Sequence, residues 1–494
     1  MEVVSPEPLL CVVILAPVIT VFSLLVAKVL RSASLATLLF WGGLAVQVLA
    51  SMLITLRTLA GGVLTYAFGG WPPPAGVVLA ANRVTGVFLL VGTAIIFVCA
   101  IALKWFLRGL GADSVTTYAF MLLFASGYAG VVLTTDLFNV YVMMELLCIS
   151  SYALISLRRG RAIAAALKYA VFGGLAGVVL ALSAGIVYGL RGSMYFGDVS
   201  LTNMVSLGVA GSAAALIIVW SLSFFSALFP NHFWLPDAHS EALPPFSAML
   251  SGVSVLSGFY VLVRLSNAGL SFLGFVTPLI QVLALVGALY AAVAMFVQSD
   301  VKRMLAYSTV LNVAYVFMGL SAGAGGVSAA LLHALTHALS KALAFLSIGI
   351  LVKWVGSRDI YVLEGVGRAT PSVLIPLTAS VLSLVGVPPF PGFVSKIMLY
   401  GALMTHGSLL AALVLVLTSG IAALSYVRLL EHLWHTPTNR AGIFKLPIAM
   451  SFTLYSLTAA MILLSMVCMP LVSLFNSALS TQHIAYSLIR SITP

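Results

Sequence analysis

The chain has 494 residues, of which 62% are hydrophobic and only 7% charged. A water-soluble domain of that composition would turn large apolar areas to solvent, so the chain is read as an all-α polytopic membrane protein. A transmembrane β-barrel is excluded because the apolar runs are long and continuous rather than short and alternating.

Runs long enough to cross a bilayer are expected at 8–29, 34–56, 84–106, 117–135, 138–157, 163–189, 203–228, 244–264, 271–298, 303–322, 326–352, 371–402, 408–427 and 446–476. That is about 14 transmembrane helices, with no room for a soluble catalytic domain. The first run has no basic leader or small-residue cleavage site and is read as a retained span. The long polar-leaning gap is 57–83, with the turn-rich segment Gly69-Gly-Trp71-Pro-Pro-Pro74. Cys11, Cys99, Cys148 and Cys468 lie scattered in apolar runs with no paired spacing, so haem, iron–sulfur and other metal ligation have no support.

The net charge of +11 is a matter of topology, not of nucleic-acid binding. One face of the spans above carries Lys28, Arg31, Lys104, Arg108, Arg158, Arg159, Arg161, Lys302, Arg303, Lys353, Arg358, Arg368, Arg428, Arg440 and Lys445. The other carries only Arg57, Arg83, Arg191, Arg264 and Arg490. Basic loops stay inside, so both termini are expected on the outer face of the cell membrane.

Two spans are broken by proline. The seventh runs into Phe229-Pro230, and the twelfth contains Pro388-Pro389-Phe-Pro391-Gly392. Lipid cannot satisfy the carbonyls a proline frees, so breaks at membrane depth survive where they line a cavity or lie against neighbouring helices. A matched pair five spans apart marks an internal repeat around a polar pathway. The expected organisation is a three-helix segment at 1–116, five-helix repeats at 117–265 and 266–430, and a closing helix and tail at 431–494.

Ionisable residues inside apolar runs are costly, of order 3 kcal/mol each, and are retained mainly for function. Glu145 is one, in the fifth span. Lys168 lies about a turn inside the sixth span, where it could snorkel toward Arg158, Arg159 and Arg161 or reach Glu145. In the eleventh span His333, His337 and Lys341 fall on one helical stripe. Lys396 follows the break of the twelfth, and a lysine in apolar surroundings can exchange its proton with a suitable neighbour. The His-x-x-x-His spacing lacks the glutamate of a zinc motif and a third ligand, so a metal site is not expected. Asp300, Lys302, Arg303, Arg358 and Asp359 read as solvated or interfacial anchors at span ends, as do Asp237 and Glu241. No phosphate-cradling motif, catalytic triad or cofactor site is visible.

At these residues the chain becomes recognisable. Asp136-Leu-Phe-Asn-Val-Tyr-Val-Met-Met-Glu145, Phe229-Pro-Asn-His-Phe-Trp-Leu-Pro-Asp-Ala-His239, Asp300-Val-Lys-Arg-Met-Leu-Ala-Tyr-Ser308, His337-Ala-Leu-Ser-Lys341 and Pro388-Pro-Phe-Pro-Gly-Phe-Val-Ser-Lys396 resemble the antiporter-like subunits of complex I. The D-type subunit of Mrp cation/proton antiporters and its relatives in membrane-bound hydrogenases are the nearest in character. The resemblance covers nearly the whole chain. It implies inverted five-helix repeats with broken helices 7 and 12, and proton movement along a mid-membrane polar axis. It also implies other membrane subunits as partners, with Na+ left open as a second cation. Carried over by position, Glu145 is the fifth-helix glutamate, Lys341 a member of the axis and Lys396 the lysine at the second exit.

Two positions depart from that pattern. Lysines usual on the seventh and eighth spans are replaced here by Phe225 and Leu256, leaving Glu145 without its expected partner. The expectation is therefore a proton-translocating subunit with a depleted first repeat. An ion-inactive structural subunit and a stand-alone secondary transporter are the alternatives.

Overall fold

The computed structural model describes residues 3–111, 113–266, 276–435 and 445–492. Thirteen helices among them are long and apolar enough to cross a membrane, and the broken twelfth span is the fourteenth. In chain order the spans are Leu9–Val29, Ala33–Leu59, Arg83–Leu107, Ser114–Leu133, Leu137–Ser156, Arg161–Arg191, Gly208–Phe225, Pro244–Ser266, Val276–Phe296, Val301–Leu320, Gly323–Val355, Pro371–Val385 with Pro391–Thr405, Leu409–Trp434 and Ile448–Ile492. The first residues expected for the ninth span, 271–275, and the basic residue Arg440 lie outside the described residues.

Local chemistry explains many of the boundaries. Side-chain oxygens of Ser32, Asn82, Asp113, Asp136 and Asp300 accept hydrogen bonds from the first free backbone N–H groups of their helices. Gly192, Gly356 and Gly386 end their helices in the left-handed conformation.

Both expected breaks are present. The seventh span stops at Phe225 and resumes as the short helix Leu235–Glu241, with Pro230 between. The twelfth stops at Val385 and resumes at Pro391, with Pro388 and Pro389 between. Pro391 itself is the first helical residue after the break, where its missing N–H costs nothing. The eighth span contains a π-helical stretch, Leu250–Ser254, that the sequence did not announce.

The repeat is visible in detail. Asp136 opens the fifth span and pairs by an isolated bridge with Tyr195 beyond the sixth. Asp300 opens the tenth span and pairs in the same way with Asp359 beyond the eleventh. Five is odd, so the second copy enters from the opposite face. The two long helices at matching places differ in surroundings: 94% of the apolar window of the eleventh is buried, against 39% for the sixth.

One element was not foreseen. Val3–Pro6, Gly62–Ala67 and Val78–Ala81 form a three-stranded sheet, the first pair parallel and the second antiparallel. The polar-leaning gap before the third span is therefore built structure, held also by the Arg57–Glu7 ion pair.

Candidate functional site

The eleventh span presents its stripe to the tenth and twelfth. Lys341 Nζ donates to the Leu305 carbonyl at 2.7 Å and to Ser308 Oγ at 2.6 Å. Ser308 also bonds the Tyr426 hydroxyl. One turn on, Asn312 Nδ2 donates to the Ser308 carbonyl at 2.6 Å, and Asn312 Oδ1 lies 3.1 Å from His333 Nε2. An amide oxygen only accepts, so His333 carries its proton on Nε2 in this arrangement. His333 Nδ1 then lies 3.0 Å from Ser395 Oγ. The result is a continuous polar ladder, Lys341–Ser308–Asn312–His333–Ser395, ending one residue short of Lys396.

Lys396 belongs to the broken helix. Its ammonium donates to the carbonyls of Leu384 and Val385 at 2.8 and 3.0 Å, the free C-terminal end of the first half-helix. That end carries the negative pole of the helix dipole, and orphan carbonyls there need donors. Gly386 supplies the left-handed turn (φ +92°), and a Cβ there would press on Lys396 Cδ at 3.1 Å. Tyr315 packs under the ammonium, 5.6 Å from Nζ, and beside His333.

His337, on the same stripe, faces elsewhere. Its ring lies against the Ser251 backbone without a well-aligned hydrogen bond, and the ring nitrogens of His239, in the seventh span's second half, have no partner among the described residues. Both rings are buried close to Lys341, and His239 stacks on Phe345. Sequence reasoning quoted His239 only within a motif; its burial carried no local signal.

The first repeat differs. Glu145 Oε1 is buried without a hydrogen-bond partner and fills the notch left by Gly177 on the sixth span, where any Cβ would collide with it. Phe225 and Leu256 are 1% and 5% exposed. Leu256 lines a small, mainly apolar void with Phe88, Val91 and Leu335, at which Tyr128, Ser257 and Tyr260 also stand. The structure does not join Glu145 to Lys168. Lys168 Nζ instead bonds Asp237 Oδ2 at 2.8 Å and the Phe233 carbonyl at 2.9 Å. Glu145 meets the sixth span at Gly177, nine residues or roughly 13 Å along the helix from Lys168, whereas Asp237 lies within reach.

Asp237, about a third exposed at the basic face, is clamped between Lys168 and Arg303, the latter at 2.9 Å. Lys302, expected to be a solvated or interfacial anchor, is instead 2% exposed and bonded to the carbonyls of Ser240 and Ala242 at 3.0 and 2.6 Å. Glu241 and Asp300 both pair with Arg358, at 3.0 and 3.2 Å. These ion pairs line a cavity of about 420 Å³ that opens on this face. Among the described residues no cluster of three or more potential metal ligands forms.

The family model described as NADH:quinone oxidoreductase/Mrp antiporter, transmembrane, matches residues 134–422. The chain belongs to this family. One relative is NADH-quinone oxidoreductase subunit N of Desulforudis audaxviator, 33% identical over 78% of this chain and 79% of its own length. A putative antiporter subunit, mnhD2, of Staphylococcus aureus is 24% identical over 80% of each. Among solved structures, a chain of an archaeal membrane-bound sulfane sulfur reductase superposes with TM-score 0.88 at 26% identity, covering 97% of this chain and all of that one. A chain of a Dietzia Mrp complex gives TM-score 0.87 at 21% identity, over 99% of this chain and all of that one. The 14-span architecture with broken seventh and twelfth spans is thus a family fold, and the protein is an antiporter-like membrane subunit.

Proposed function

We propose that this chain moves protons as one subunit of a multi-subunit membrane complex, and that the second repeat, residues 266–430, carries the movement. The observation behind this reading is the unbroken ladder from Lys341 through Ser308, Asn312 and His333 to Ser395, next to Lys396. Lys341 and Lys396 each sit on backbone carbonyls that tolerate either a charged or a neutral amine. Either lysine can therefore release its proton without stranding a charge, but the Asn312 amide cannot relay one, since its nitrogen only donates and meets the Ser308 peptide carbonyl, so passage between His333 and Lys341 takes a water-borne step beside Asn312. His333 stands between them with both ring nitrogens engaged, able to accept on one side and donate on the other. His337, buried beside Lys341 on the same helix, is a further titratable group next to this path.

The same reading makes the first repeat, residues 117–265, a structural half, because Phe225 and Leu256 interrupt any chain from Glu145 to Lys341. The three-helix segment 1–116 and the closing helix within 431–494 brace the two repeats. The charge bias supports an inner basic face with both termini outside. The solved structures similar to this chain are subunits of larger membrane complexes, and the driving reaction is assigned to such partner subunits.

The test is Lys396→Met in the assembled complex, reconstituted in vesicles and followed with a pH-sensitive dye. Proton movement should fall more than tenfold while subunit composition stays intact. Undiminished movement would overturn the pathway and leave the chain a scaffold. Transport of an organic solute by the chain alone would favour a stand-alone transporter.

A further inference from the structure

Beside the ion-paired cavity at the basic face lies a second one, of about 490 Å³, with a different character. Arg108, Arg158, Lys302, Lys353 and Arg358 line it, and among the described residues no acidic side chain does. The acids that pair with Arg358, Glu241 and Asp300, line the neighbouring cavity instead. Arg358 forms the partition; Glu241 and Asp300 also act on Lys302, so the unneutralised charge of the second cavity rests on Arg108, Arg158 and Lys353.

The five cations are held in place differently. Lys302, 2% exposed, forms the floor and uses two of its three donors on the Ser240 and Ala242 carbonyls. Lys353 Nζ is fixed on the end of the third span, donating to the Trp105 carbonyl at 2.6 Å and the Phe106 carbonyl at 3.3 Å. Carbonyls hold these ammonium groups without cancelling their charge. Arg158 has only a 3.4 Å contact with the Glu241 carbonyl, and Arg108 has no carboxylate partner among the described residues. Holding so many like charges together is repulsive unless an anion joins them.

The rest of the lining identifies the kind of anion. Phe106, Leu243, Pro244 and Val352 form the wall that continues into the membrane-spanning helices. These residues stand at the ends of the third, eighth and eleventh spans, so the cavity lies at the level where spans end on the basic face and lipid phosphates gather. Basic pockets between transmembrane helices are a recognised way of holding acidic headgroups. We infer that this cavity is a binding site for the phosphate headgroup of an anionic phospholipid, with Lys302 at its floor and Arg108 and Arg158 closing over the phosphate.

The complex containing this chain is placed in nanodiscs of zwitterionic lipid with or without one-tenth phosphatidylglycerol. Lipid retained after detergent washing is counted by mass spectrometry, and arginine reactivity is mapped with phenylglyoxal. The expected result is retained phosphatidylglycerol and protection of Arg108 and Arg158. R108Q/R158Q should lower that retention on the order of tenfold. The control K104Q/R31Q, which removes two charges from the same face outside the cavity, should not. Equal retention by both double variants overturns the assignment. Protection by millimolar inorganic phosphate alone would also overturn it, in favour of a soluble anion. Protection in zwitterionic discs without phosphate would do so in favour of an acidic segment of a partner subunit.

Discussion

The two repeats share a backbone plan but not a chemistry. Each opens its second helix on an aspartate cap, bridges that residue to the loop beyond its third helix, and breaks its fourth helix at proline. In the second repeat the space at the break is crossed by Lys396, His333, Asn312 and Lys341, all hydrogen-bonded. In the first, Phe225 and Leu256 take the corresponding space and Glu145 is left against a glycine notch. The helical frame therefore does not need the polar axis in order to form. Backbone breaks are satisfied locally by caps and neighbouring helices, and side chains can be exchanged within them.

The largest effect should come from Lys341→Met. It removes the inner end of the ladder and leaves the Ser308 hydroxyl and Leu305 carbonyl without their donor. Proton movement should drop more than tenfold, and retention of half the activity would break the contrast between the repeats. Leu256→Lys tests the other half by placing an ammonium in a mainly apolar void. Its expected cost is about 3 kcal/mol, read as a lower midpoint in thermal size-exclusion assays. If the variant were fully stable, the Tyr128, Ser257 or Tyr260 hydroxyls lining the void would have to accept the ammonium, and the space in the first repeat could hold a polar group after all. A smaller effect is expected from His333→Gln, which keeps one hydrogen bond but cannot carry a proton: proton movement should fall several-fold with assembly unchanged.

Glu145→Gln should change proton movement by less than about twofold, since no ladder starts from it; a tenfold loss would place the first repeat back on the pathway. The smallest effect concerns Asp113, before the fourth span. The Lys28 ammonium 2.7 Å away, helped by the Thr116 hydroxyl, holds its carboxyl down to about 2 from an ordinary 3.8. A lowered value means the pair's contribution is fully present above about pH 3.8 and is lost only as pH falls through about 2. Both side chains are roughly half exposed (54% and 45%), so screening keeps that contribution below about 1 kcal/mol. Asp113→Asn should therefore shift the thermal midpoint slightly, and by the same amount at every pH from 5 to 8.

The spans, both breaks and the stripe on the eleventh helix were legible because apolar run length, proline and helical spacing are local properties. Partner choice was not. Lys168 had Glu145 on the preceding helix as an apparent target, yet the break of the seventh span swings Asp237 closer. Lys302 reads as a surface anchor in a run with Asp300 and Arg303, but the loop at Ser240–Ala242 folds over it and supplies carbonyls. The small sheet was missed because each strand is short and the parallel pair joins residues far apart in sequence. In all three cases the deciding contact is made by a segment distant in sequence.

The unequal wrapping of the two long helices has a consequence for how the sequence can vary. The eleventh span is enclosed along nearly its whole length, so every position on it touches protein and a change of one methylene is felt. On the sixth span, Leu167, Val171, Leu175, Val178 and Leu182 are more than half exposed. There almost any apolar residue fits, and the positions held fixed are the small ones facing inward, Gly173 under Tyr152 and Gly177 under Glu145. A saturation library should therefore show tolerance on the sixth helix in a stripe that follows the helical turn. On the eleventh it should show an almost uniform wall of intolerance, with no lipid-facing side to absorb change.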